Sequence, residues 1–150
     1  MTNPVTSAAL ALANLDQQFY RADIQFHGVD HAGATYEGRV FLNNPAADEH
    51  TPRTPDSGYA GCFHIFGHGG CLGDPGHCDV VPRRPHDPRP AHPLTPARKV
   101  VIATEAVRRA IGAGADITIT VVPVILSTTP KAGRPDDLVS FDQVRIVTYR

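Results

Sequence analysis

The chain has 150 residues, with 14 Lys and Arg against 15 Asp and Glu and a hydrophobic content of 41%. That length supports one sizeable core in a single domain, 1–150. The missing basic excess argues against nucleic-acid binding, which needs cations to neutralise phosphates. No apolar run reaches membrane-spanning length, and "MTNPVTSAALALANL" carries no positive charge ahead of its short apolar run, so the expectation is a soluble, cytoplasmic protein. Three cysteines fit no fully paired disulfide framework and are expected as thiols or metal ligands in a reducing compartment. Fourteen prolines and 13 glycines suit a β-protein with many turns.

In the N-terminal segment 1–21, Leu10, Leu12, Leu15 and Phe19 approximate a helical spacing, and a short helix is expected over Ser7–Tyr20. "ADIQFHGV" (Ala22–Val29) alternates, with Ile24 and Phe26 on one face and Gln25 and His27 on the other, as a half-buried strand does. "TYEGRVFLN" (Thr35–Asn43) reads as a second strand, so 22–43 reads as a hairpin. Asn44–Gly58 has the composition of a surface loop. "YAGCFHIFGH" is a third strand, with Cys62, His64 and Phe66 on one face and Phe63 and Ile65 on the other. Val81–Pro96 holds six prolines in sixteen residues; lacking backbone donors, 81–97 is expected as an extended connector, with His86 and His92 in solvent. Arg98–Thr104 reads as a strand, and Thr104 as the cap of a short helix ending at Gly112 or Gly114. Asp116–Leu126 is the strongest strand, in which Pro123 implies an edge or a bulge. Leu138–Arg150 is a last strand, kinked near Asp142.

No strand–helix–strand alternation supports a parallel sheet. The expectation is an all-β chain: one antiparallel β-sandwich with Greek-key or jelly-roll connections, one or two short helices, and long Pro/Gly-rich loops.

Chemistry concentrates in "GCFHIFGHGGCLGDPGHCD" (Gly61–Asp79), which holds all three cysteines, three of the eight histidines and six glycines. The order is Cys62, His64, His68, Cys71, His77, Cys78. Thiolates and imidazoles together suit copper or zinc. On a strand Cys62 and His64 project from one face, and a Gly-rich loop bends enough to bring His68, Cys71, His77 or Cys78 back towards them. The pattern lacks a C-x2-C pair and an H-E-x-x-H helix. The same residues also suit a structural hairpin loop, with Cys62 as a small buried apolar group and Cys71 and Cys78 inert or paired with each other. His27 and His31 join the cluster only if the first hairpin packs beside the third strand. Asp74 and Asp79 are expected as solvated surface carboxylates, with orientation of ligand imidazoles as their alternative role. "GHGG" suggests an oxyanion loop, yet no G-x-S-x-G elbow accompanies it, and no P-loop or G-x-G-x-x-G unit is present.

The succession "YEGRVFLNNPAADEHTP", "GYAGCFHIFGHGGCLGDPGHCDV", "HPLTPARKVVIATEAVRRAI" and "ITITVVPVI" resembles the β-sandwich accessory domain that follows the catalytic domain in bacterial tyrosinase-like, polyphenol-oxidase and haemocyanin-type copper proteins. The resemblance spans about Ala22 to Leu126. It implies a sandwich without the helical bundle that carries the oxidase copper centre, and hence a domain that shields or helps load copper in a partner copper oxidase.

Three functions remain open on the sequence. The first is a non-catalytic, copper-binding accessory protein. The second is a small metalloenzyme acting on a phenolic metabolite, in which His64, His68 and His77 hold the metal and the cysteines tune it. The third is a metal-free module for partner docking or homo-oligomerisation.

Overall fold

In a computed structural model, residues 3–67, 85–86, 96–126 and 138–150 are described. The strands are β1 (Val5–Thr6), β2 (Arg21–Val29), β3 (Tyr36–Leu42), β4 (Tyr59–Ile65), β5 (Ala97–Ile102), β6 (Ile119–Ile125) and β7 (Gln143–Tyr149). Among the described residues one α-helix, α1 (Thr104–Gly112), lies between β5 and β6. The strands make two antiparallel sheets, ordered β1-β6-β3-β4 and β5-β2-β7.

Period-two alternation drives this arrangement. Each strand turns one apolar row inward, and the two rows pack face to face. Ile24 and Phe26 from β2 meet Tyr36 and Val40 from β3, Phe63 from β4 and Val121 from β6 in one buried cluster. The Phe26 and Phe63 rings join the sheets at a centroid distance of 5.0 Å. Each such side chain taken from water contributes about 1.5–3 kcal/mol. The all-β sandwich read from the sequence is therefore the observed fold. Helix α1 covers the core with Ala106, Val107 and Ala110 and packs against β2, β3 and β4.

Three expectations need correction. Residues 22–43 are not a hairpin, since β2 lies in the three-stranded sheet and β3 in the four-stranded one. The connection through 30–35 is longer than a tight two-residue turn and has room to cross between layers. Putting β2 and β3 in opposite sheets lets their apolar rows bury each other. The expected helix over Ser7–Tyr20 is also replaced. Val5–Thr6 pairs with β6, Leu10 bridges Ile117, and only a 3-10 turn forms at Leu12–Asn14. Backbone bonds to the sheet (Ser7 N–H to Ile119 O at 2.8 Å, Leu10 N–H to Ile117 O at 2.8 Å) outcompete helical ones. The extended path lays Leu10, Leu15 and Phe19 across the core edge. Thr104, finally, is not the helix cap. Ala103 holds that position without a side-chain bond, and the Thr104 hydroxyl accepts the Ala22 N–H at 3.1 Å.

Asn44–Gly58 is more than a solvated loop. A 3-10 turn at Pro55–Ser57, bracketed by a Thr54–Ser57 capping box and a left-handed Gly58, folds it back over the outer face of the four-stranded sheet. There Ala47 completes a second small core with Phe41 and Val122, against which Tyr59 packs. Pro123 sits in β6 beyond Val121, where the two-residue pairing with β1 has ended, as an edge position requires. The chain bends at Asp142 just before β7, as expected.

Candidate functional site

Among the described residues, strand β4 is the edge of its sheet, and it carries the first two residues of the Cys/His run. Phe63 and Ile65 are buried, while Cys62 is half-buried and His64 and Phe66 are exposed. Cys62 and His64 therefore share an outward face, about 6–7 Å apart along the strand. Across the ladder Cys62 stands opposite Arg39, and His64 opposite Glu37.

A bulge completes the surroundings of Cys62. The register slips between Val40↔Gly61 and Phe41↔Tyr59, which inserts Ala60 as an extra residue. The slip flips side-chain parity, so Tyr59, three residues before Cys62, faces the same side. Gly61 makes the bulge possible: its φ is +133°, and a β-carbon there would lie 2.6 Å from a Val101 methyl on the facing sheet. Burial first, and then the neighbouring Cys62 thiol, push the Tyr59 phenol above its ordinary range.

Glu37, 6% exposed, is committed elsewhere. Arg53 Nη1 reaches Glu37 Oε1 at 3.0 Å, and Arg39 Nε lies 3.4 Å from the same atom. Arg39 also donates to the Glu49 carbonyl at 2.8 Å, which ties the 44–58 loop to the sheet. The outward face thus presents Cys62 and His64 as metal-type donors, framed by Tyr59 and by Glu37, whose carboxylate is neutralised by Arg39 and Arg53. Among the described residues, no three His, Cys, Asp or Glu side chains assemble around a common point.

His68, Cys71, His77 and Cys78 lie outside the described residues, as do Asp74 and Asp79, most of the Pro-rich 81–97 segment, and His92. His86 is exposed, with φ 64°. His27 does not join Cys62 and His64, because it projects from the outer face of the other sheet. Its neighbour His31 is buried at 8% exposure, in the connection that crosses between the layers.

Periodicity alone does not bring Tyr59, Arg39, Glu37 and Arg53 beside Cys62. The available signal was Gly61, a glycine inside a strand pattern, which marks a bulge. A recess of about 270 Å³ opens between residues 42–58 and α1. It lies at the Leu42 end of β3, whereas His64 pairs at the Glu37 end, and Cys62 and His64 do not line it.

Among the described residues, no helix is long and apolar enough to cross a membrane. No family model, curated protein or solved structure matches the chain.

Proposed function

We propose that this chain binds a soft transition metal, copper ahead of zinc, in a non-catalytic accessory role. Cys62 and His64 are the two ligands presented by the sheet. The observation that carries the reading is their shared outward face on an edge strand, immediately ahead of the run holding His68, Cys71, His77 and Cys78. The remaining donors come from those four by sequence spacing. A mixed thiolate–imidazole set favours Cu(I), and copper so held is cargo for a partner copper oxidase. The accessory reading is preferred to a metalloenzyme on the resemblance of the sequence, and Cys62 and His64 do not line the recess beside α1.

The test is metal analysis and Cu(I) competition on tag-free protein under reducing conditions, beside Cys62→Ala/His64→Ala and a His86→Ala control. The expected result is saturable uptake that the double variant weakens by about tenfold or more and the control leaves unchanged. Protein that takes up neither copper nor zinc while keeping its native circular dichroism overturns the proposal.

A further inference from the structure

We propose that the outer face of the three-stranded sheet binds a phosphate-class oxyanion between Arg98 and Arg145, with Gln25 as the residue that positions the pair. The reading is independent of metal binding, which uses the opposite sheet. Gln25 lies on the central strand β2 and is 4% exposed. Its Oε1 accepts from Arg98 Nη2 at 3.0 Å and from Arg145 Nε and Nη2 at 3.2 and 3.1 Å. Its Nε2 donates to the Tyr149 hydroxyl at 3.3 Å, which fixes the amide orientation. One neutral carbonyl thus holds two guanidinium groups side by side.

Two like charges so close repel unless a counter-charge joins them. The carboxylate on that face is already taken, since Asp23 receives Arg21 through two bonds of 2.7 and 2.9 Å. Among the described residues, no carboxylate pairs with Arg98 or Arg145. Both arginines stay exposed, and among the described residues most of their donors have no partner. His27 follows Gln25 on the same face; its Nε2 is enclosed and has no partner among the described residues, a second unmet polar group at this place.

The charge count selects the ligand class. A phosphomonoester carries about −1.5 to −2 at neutral pH and matches two guanidinium charges, where a carboxylate supplies half of that. Planar guanidinium forks also suit phosphate oxygens geometrically. The source is inorganic phosphate or the phosphoryl group of a small metabolite.

The experiment is an NMR titration of the full chain at constant ionic strength, following the Arg98 and Arg145 Nε–H and His27 ring signals. The probes are inorganic phosphate, glycerol phosphate and acetate. Saturable shifts with phosphate or glycerol phosphate are expected, the tighter of the two naming the source. Arg98→Gln and Arg145→Gln each weaken binding by about tenfold or more. Gln25→Met, which keeps both positive charges, also weakens it, an effect that bare surface charge does not predict. Unsaturated shifts across the millimolar range, acetate binding as tightly as phosphate, or unchanged binding in the arginine variants overturns the proposal.

Discussion

Gly38→Ala tests how tightly the two sheets are fitted together. Gly38 stands directly opposite Phe63 in the β3–β4 ladder. A β-carbon there would lie 2.6 Å from Phe63 Cζ, with Cε2 and Cε1 at 2.8 and 2.9 Å. Carbon atoms prefer separations of about 3.5–4.0 Å, so the ring must retreat by roughly 1 Å. It has little room: Phe63 is 4% exposed, with the Phe26 ring at 5.0 Å and the Tyr36 ring at 6.3 Å. Overpacking of this kind costs about 1–3 kcal/mol. The pinned ring puts this site in the upper half of that range, about 2–3 kcal/mol; relief of glycine backbone entropy returns about 0.5–1 kcal/mol, which leaves a net loss of roughly 1–2.5 kcal/mol. In a Phe63→Leu background the obstructing ring is gone, and the same alanine becomes neutral or mildly stabilising. Urea unfolding followed by far-UV circular dichroism, suited to a chain without tryptophan, gives all four corners of the cycle. A Gly38→Ala protein as stable as the parent refutes the packing argument. So do single costs that add within about 0.5 kcal/mol.

Other expectations are as direct. Burial first, then Arg145 and Arg98, lower the His27 pKa below its ordinary 6.5. The unfolded chain therefore takes up that proton first, and stability falls as pH drops below about 6.5 towards the folded value. In thermal melts across pH 5–8, His27→Gln should flatten this part of the profile; an unchanged slope counts against the assignment. Cys62→Ala removes a thiol that helps raise the Tyr59 pKa, so an ultraviolet titration should show Tyr59 ionising at lower pH, while burial keeps it above a free tyrosine. A profile identical to the parent's places the whole effect in burial. Thr104→Val deprives the Ala22 amide of its acceptor and should cost about 1–2 kcal/mol in urea unfolding; a cost near zero means that water replaces the hydroxyl.

Much of the architecture was readable because period-two alternation is a local signal. Ile24/Phe26 against Gln25/His27, and Phe63/Ile65 against Cys62/His64, sort to the two faces as their order in the chain implies. What failed was non-local. Nothing in 22–43 says that β2 prefers β5 and β7 to its neighbour β3, because that choice depends on how the facing rows fill one core. The N-terminal leucines misled for a related reason: sheet edges supply backbone partners that local propensity cannot register. The pairing of Cys62 with His64 was legible for the same period-two reason. Tyr59 was not, because the bulge at Ala60–Gly61 breaks the count. The link from Glu37 to Arg53 depends on a loop folding back, which composition reads only as surface.

Copper K-edge X-ray absorption on Cu(I)-loaded, tag-free protein tests the central claim most directly. The account predicts a first shell of sulfur and nitrogen whose sulfur contribution drops in Cys62→Ser and whose nitrogen contribution drops in His64→Ala. A shell that is the same in both variants and the parent, or one of oxygen and nitrogen alone, contradicts it.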